Sequence, residues 1–514
     1  MSNFSARLSA LFARKPLELL LEEAQGESRL KRVLGPVQLT ALGLGAVIGA
    51  GIFVATGAAA HNIAGPSLMI SYVVAGLTCI FAALCYAEFA SMVPVVGSAY
   101  TYAYATLGEL FAWIIGWDLV LEYGVASAAV ATGWSAYFQS ILSQLSLFIS
   151  EKLPYEVDLS IPKIVSESPW RYDVELGQFV TTGSIINLPA VVIILVVTWF
   201  LIKGISESAT FNAIMVCVKV AAVLFVIGVG AFFINTANWE PFAPYGWTGV
   251  SFFGHHVAGQ QIGGAPVGML AGAAIIFFAY IGFDAVSTYT EEAKNPKRDV
   301  PIGIIVSLVI CTILYVLVSA VLTGMVKYNE LDLNAPVSIA FTQAGLGWAE
   351  GIIATAGVAG ITSVLLVMML SGPRVFLAMA RDGLVPKKVF GAVHPKFRTP
   401  WIATILIAVF VLSLAAFAPI DFLLHLTNIG TLLAFVIVCA AVLIMRVTHP
   451  HAERPFRCPG SPFVPIMGIL MCLLLMFSLP VGNWWRLLGW LGVGFIIYFA
   501  YGYRHSILKQ YRKG

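Results

Sequence analysis

Apolar runs long enough to cross a lipid bilayer recur along the whole chain, and they leave few folds open. A helix needs about 20 apolar residues to cross the hydrocarbon, and by that ruler there are about twelve candidates. They run roughly Leu39–Ala60, Ser67–Met92, Leu110–Tyr137, Ile186–Ile202, Thr210–Ile234 and Val267–Tyr289 in the first half. The second half gives Ile302–Met325, Ile352–Met379, Trp401–Phe417, Phe422–Met445, Val464–Leu479 and Leu487–Tyr503. Backbone N–H and C=O groups find no partner in hydrocarbon, so runs of this kind read as helices. The chain is 59% hydrophobic and 11% charged, whereas a soluble domain carries about 25% charged residues. The expected class is therefore an all-α polytopic membrane protein surrounded by lipid, with no nucleic-acid partner.

Positive charge sorts to one side of this pattern. An even number of spans puts both termini on one side, together with Arg14, Lys15, Lys203, Lys294, Lys297, Arg298, Arg381, Lys387, Lys396, Arg398, Arg446, Arg504 and Lys509. The opposite connections hold Lys152, Lys163, Arg171, Lys327 and Arg486. Lys and Arg concentrate on the cytoplasmic side of membrane proteins, so both termini are expected in the cytoplasm of a cell-membrane protein. The expected segments are an amphipathic cytoplasmic stretch over 1–36, five helices over 37–234 and five more over 235–446. Two peripheral helices over 447–503 and a short tail over 504–514 follow. Residues 142–184 read as an external polar loop without chemistry. The seven cysteines show no metal or redox spacing and read as small hydrophobes; no metal or cofactor is expected.

Two of the spans are interrupted in their middles. The first carries Val47-Ile48-Gly49-Ala50-Gly51-Ile52-Phe53 and the sixth carries Phe278-Ala279-Tyr280-Ile281-Gly282-Phe283-Asp284. Breaks in corresponding positions of two halves point to a transporter substrate site. A broken helix exposes N–H groups at one inner end and C=O groups at the other. A zwitterion needs both. The amides of Gly49, Ala50 and Gly51 are the expected partners of a carboxylate. Carbonyls near Val47, Ile48, Phe278 and Ile281 are the expected partners of an ammonium, and Phe278 is expected at a gate. Close packing of helices through small residues is the alternative use of the same glycines.

Three ionisable residues sit inside spans, where charge is costly and usually functional. Lys219 is about nine residues from the nearer end of its predicted helix, or roughly 13 Å, too far for its stem to reach the interface. Proton exchange is the expected role, and permanent structural pairing the alternative. Glu122 is expected to pair with Lys219, share its proton or border the pocket. Asp284 is expected to cap the second half-helix, face the pocket, or both. Glu88 reads as an interfacial or capping residue at a helix end. His255 and His256 read as solvated loop residues, and His425 is ambiguous.

The motifs around these sites resemble the amino acid–polyamine–organocation superfamily, and within it the cationic amino acid transporters and their bacterial relatives. The resemblance rests on residues 48–53, on Pro94-Val95-Val96-Gly97-Ser98-Ala99-Tyr100-Thr101-Tyr102, and on Glu291-Glu292-Ala293-Lys294-Asn295-Pro296 after Phe283-Asp284. It also rests on Met379-Ala380-Arg381-Asp382-Gly383 and His394-Pro395-Lys396-Phe397-Arg398-Thr399-Pro400. It implies an inverted repeat of five helices plus five, broken at helices one and six. An amino-acid site would lie between the breaks, contacting residues 47–52, Phe278, Ala279, Ile281, Phe283 and Asp284. It further implies that Lys219 stands where sodium-driven relatives hold a cation between spans one and eight, which favours proton coupling. Ala50 departs from the hydroxyl residue common in the family. Met368 in span eight places a bulky thioether near the side-chain position, which favours a small neutral substrate over a long cation.

The expected function is proton-coupled symport of an amino acid by alternating access, with the chain taken as a monomer. A cationic amino acid transporter and a sodium-independent exchanger are the near alternatives. A channel would call for a ring of subunits or repeated filter segments, and an enzyme for a nucleophile–base set or metal motif; neither pattern occurs.

Overall fold

The computed structural model describes residues 11–16, 34–92, 98–173, 178–204, 209–333 and 335–508. Most of the expected N-terminal amphipathic stretch, part of the 94–102 motif and the end of the tail lie outside the described residues.

Helical segments occupy all twelve expected positions. Span one is Pro36–Val47 continued, after a break, through Gly51–Ala55 to Ala64; span two is Leu68–Met92; span three is Glu109–Lys152. Spans four and five are Leu188–Lys203 and Ala209–Gly230, and span six begins as Met269–Ile276. Spans seven to twelve begin in turn at Pro296, Gly347, Trp401, Ile420, Phe463 and Val481. Among the described residues, seven helices are long and apolar enough to cross a membrane unaided, or eight if the bent pair Phe463–Phe477 and Val481–His505 is one span. Pro36–Val47, Leu188–Lys203 and Trp401–Phe417 are apolar but shorter. The outer half of span one runs on into span two as one helical stretch, Gly51–Met92, and this joining, with the bent pair and the short helices, accounts for the gap between this number and the twelve apolar runs.

Local chemistry sets several helix ends. Pro36 starts span one, and the Gly35 N–H donates to Gln38 Oε1 at 3.0 Å. The Asn187 side chain accepts from the Ala190 N–H at 3.3 Å, satisfying one of the orphan donors at the start of span four. Gly204, at φ +72°, ends that span in the left-handed conformation that glycine adopts freely.

The two halves meet along several pairs of counterpart spans. Span three packs along span eight, two along seven and four along nine. Spans one and six meet at their breaks, as described below. Span three is the central post: its most apolar stretch is 94% buried, against 33% for span five.

Between the spans, three expectations change. The connection after span three is not loop from residue 142, because the helix continues to Lys152. At 1.5 Å per residue its 44 residues extend about 66 Å, well beyond the hydrocarbon. Trp170–Asp173 then pairs with Gln178–Thr181 as an antiparallel hairpin. The connection before span six carries a three-stranded antiparallel sheet of Gly249–Phe252, His255–Ile262 and Ala265–Val267. His255 and His256 are exposed as expected, but on a strand. Glu88 is the third change. It is buried, not interfacial, with Arg446 Nη2 at 2.6 Å and Arg454 Nε at 3.3 Å from its two carboxylate oxygens.

Both described terminal segments converge on one face. The Lys15 ammonium lies 2.9 Å from Asp382 Oδ1, and the Ile507 N–H donates to the Asp382 carbonyl. Glu109, at the start of span three, accepts from Tyr104, Tyr498 and Ser506.

Candidate functional site

Span one opens at Ile48, which is extended (φ −74°, ψ 105°), and resumes as a wide π-type turn at Gly51. The amides of Gly49 and Ala50 donate to no backbone carbonyl among the described residues. Span six narrows into a tight turn over Phe277–Tyr280, then opens at Ile281 (φ −60°, ψ 134°) and Gly282 (φ +113°). That φ is nearly closed to side chains, so the break needs glycine there. A second helical stretch starts at Asp284 and runs to Glu292.

The breaks touch through backbone. A Cβ placed on Gly51 would lie 2.2 Å from the Cα of Ala279, and one on Gly49 would lie 2.6 Å from Val364 Cγ2 of span eight. These glycines therefore do serve close packing, while Gly51 also borders the space between the breaks.

Hydroxyl, amide and ammonium groups from neighbouring spans satisfy the carbonyls that the breaks release. Tyr315 of span seven donates to Val47 O at 2.9 Å and reaches Ala279 O at 3.1 Å, joining both breaks. Asn428 of span ten donates to Ala274 O and Ile275 O at 2.9 and 2.7 Å, where the carbonyls of span six lose their regular donors. Tyr137 of span three donates to Phe53 O at 2.6 Å. Such partners are what allow broken backbone at membrane depth.

Between the breaks lies a small cavity. Val47, Ala50, Gly51, Phe278, Ile281 and Met368, all expected at the site, line it. Ala46, Ala126, Val130 and Val364 complete the wall and were not anticipated. Its free volume of about 10 Å³ is on the scale of a single water. An amino acid fits only if the breaks part.

Other expected residues are placed close by but off the wall. Ile48 and Ile52 are buried in the packing, Gly49 against Val364 and Ala279 against Gly51. Phe283 turns into an aromatic cluster with Tyr86 and Phe435, at centroid distances of 5.9 and 5.1 Å. Among the four carbonyls expected to face an ammonium, Val47 already accepts from Tyr315, and Phe278 from the Ile281 N–H at 3.2 Å.

Lys219 is fully buried, and its Nζ donates to Gly45 O at 2.6 Å, just before the break in span one. On its other side its stem runs past Gly360 of span eight, where an added Cβ would sit 3.2 Å from Lys219 Cγ. The ammonium thus lies between spans one and eight. Glu122 belongs to a separate cluster, with Asp284 and Asp118 as its acidic neighbours. Asp284 sits in the first turn of the second half-helix and accepts from Tyr123 at 2.7 Å. No group of three or more His, Cys, Asp or Glu side chains suited to a metal occurs among the described residues.

The signal for the missed residues was present but faint. Tyr315 and Asn428 are polar groups inside apolar spans, which marks them as partners for freed backbone. Ala126, Val130 and Val364 carry no such mark.

Comparison with known proteins adds the lineage. Residues 34–498 match the amino acid permease family model. The chain belongs to the amino acid permeases of the amino acid–polyamine–organocation superfamily. The permease is 46% identical over 502 residues to a branched-chain amino acid permease of Bacillus subtilis, covering 98% of this chain and 99% of that one. It is 43% identical over 503 residues to a methylthioribose transporter of the same organism, covering 98% and 100%. A vacuolar cationic amino acid transporter of Arabidopsis thaliana is 37% identical over 453 residues, covering 86% of this chain and 68% of that one. The permease is therefore a multi-pass membrane transporter, not an enzyme.

Proposed function

We propose that this permease is a proton-coupled symporter of neutral L-amino acids that works by alternating access. The observation that carries the reading is the meeting of two broken helices beside a buried lysine. The Gly49 and Ala50 amides, lacking backbone acceptors, suit a substrate carboxylate. The carbonyls of Ile48 and Ile281 suit its ammonium. Lys219 holds the carbonyl of Gly45, four residues upstream of Gly49, so loss of its proton would release the segment that grips the substrate. Glu122 and Asp284 would respond to the same movement through Tyr123. The counterpart pairing of spans supports two five-helix repeats rocking against each other, with boundaries near 37–234 and 235–446. The sorting of Lys and Arg supports placing the terminal face in the cytoplasm.

The cavity wall supports a neutral side chain. Val130, Val364, Ile281 and Met368 offer apolar contact and no counter-charge for a guanidinium or long ammonium. The name of the branched-chain relative agrees with this; the name of the methylthioribose relative raises a second reading, a neutral thioether sugar without a zwitterion.

Uptake by purified protein in proteoliposomes tests both. A pH gradient alone, with no internal amino acid, should drive leucine accumulation in the wild type and not in Lys219→Ala. Full pH-driven accumulation by the variant would remove Lys219 from the coupling. Accumulation only with internal amino acid would make the protein an exchanger. Competition by methylthioribose but not by alanine, leucine or valine would favour the second reading, and arginine uptake above leucine uptake would overturn the neutral preference.

A further inference from the structure

On the face opposite the termini there is a second cavity, of about 200 Å³, separate from the space between the breaks. The end of span one, the sheet before span six, and the starts of spans ten and twelve enclose it. Most of its wall is apolar, with Ile63, Val267 and Phe422 among the lining residues.

Five polar side chains line the same space: Asn62 of span one, Asp421 and His425 of span ten, and Asn483 and Arg486 of span twelve. Asn483 is 1% exposed. Its Oδ1 accepts from Arg486 Nη1 at 3.2 Å, while its Nδ2 has no hydrogen-bond partner among the described residues. The Nδ1 of His425 is likewise buried without a partner. The Arg486 guanidinium lies over the Phe422 ring, 4.1 Å from its centroid, which fixes its plane. A buried donor without an acceptor is destabilising, so Asn483 is poised for an acceptor brought by a ligand. Cation, amide donor, carboxylate and apolar wall together match the groups of one small molecule.

We propose that this cavity is a second binding site for an amino acid with an apolar side chain, distinct from the site between the breaks. The substrate carboxylate meets Arg486 and the Asn483 amide, and its ammonium meets Asp421. The side chain lies against Phe422, Ile63 and Val267. Because Ile63 belongs to the outer half of span one, an occupant ties that half to spans ten and twelve. It therefore tunes the movement of the broken helix and is not itself carried.

Equilibrium binding of radiolabelled leucine to the full chain in lipid nanodiscs tests this. The wild type should bind two leucines per chain, and Asn483→Leu/Arg486→Gln should bind one. The leucine retained by that variant, with a single symmetric gel-filtration peak, shows that it is folded. Arg486→Lys, which keeps the charge, should retain the second leucine with at least tenfold weaker affinity. One leucine per wild-type chain, or two in the double variant, would overturn the site. A wild type that binds one leucine and still accumulates it under a pH gradient leaves the symport reading standing and removes only the second site. Two bound leucines without accumulation would do the reverse, and no bound leucine would overturn both.

Discussion

The Tyr315 hydroxyl lies 2.9 Å from the Val47 carbonyl oxygen and 3.1 Å from that of Ala279. One hydroxyl on span seven therefore bridges the breaks of spans one and six. Both carbonyls are enclosed in protein, and no water is needed to satisfy them. Tyr315→Phe keeps the ring and removes the bridge, leaving two acceptors without their shared donor. That loss should cost about 1–3 kcal/mol, part of it in stability and part in the alignment of the breaks. The expected result is a lower unfolding temperature in detergent and roughly tenfold weaker leucine binding, about 1.4 kcal/mol. Unchanged binding would mean that the breaks are aligned by something other than Tyr315.

Gly51 makes the second prediction. A methyl group there would sit 2.2 Å from the Cα of Ala279 and 2.5 Å from its Cβ. Backbone on both sides of the contact leaves nothing to rotate away, so Gly51→Ala must push the breaks apart. The variant should reach the membrane and unfold at a temperature near the wild type, because the closed contact is one of several arrangements a transporter visits. Its uptake rate should nevertheless fall at least tenfold. Normal uptake would show that Gly51 and Ala279 need not meet during the cycle.

Lys219→Arg separates charge from proton exchange. Arginine keeps a cation but does not release its proton in proteins. The Nζ it replaces is fully buried and 2.6 Å from Gly45 O, so the bulkier guanidinium must displace its neighbours. Proton-driven accumulation should be lost, as in Lys219→Ala, despite the retained charge. If Lys219→Arg accumulates leucine normally while Lys219→Ala does not, Lys219 holds Gly45 as a fixed cation and couples no proton.

Much of this arrangement was legible in the sequence, for a physical reason. Membrane helices must be apolar, so their positions appear directly as runs, and departures such as Gly49-Ala50-Gly51, Gly282 and Lys219 stand out against them. Those residues do lie at the breaks or beside them. Partners of the broken backbone were harder to see, because Tyr315, Asn428 and Tyr137 act on carbonyls more than 30 residues away in sequence. Their side chains alone do not say which carbonyl they will meet. The hairpin at 170–181 and the sheet at 249–267 escaped for a different reason. Short strands outside the hydrocarbon carry neither the long apolar run nor a sustained alternation. Glu88 was misplaced because its position near a helix end suggested solvent, whereas Arg446 at the end of span ten and Arg454 just beyond it close over it.

That arginine pair makes the last prediction. Glu88 Oε2 accepts from Arg446 Nη2 at 2.6 Å and from the Cys458 N–H at 2.8 Å, and Arg454 Nε lies 3.3 Å from Oε1. The Glu88 and Arg454 side chains are only 3% and 5% exposed, so neither charge has water to fall back on. Removing one member of a buried pair costs about 3–5 kcal/mol, because the other charge stays buried without its partner. Glu88→Ala should lower the unfolding temperature markedly and loosen the connection between spans ten and eleven, which proteolysis near Arg454 would read. Glu88→Gln keeps the shape and an acceptor for the Cys458 N–H, so its loss should be smaller. Equal losses in the two variants would mean that the carboxylate charge alone, and not the shape or the acceptor for Cys458, holds the connection.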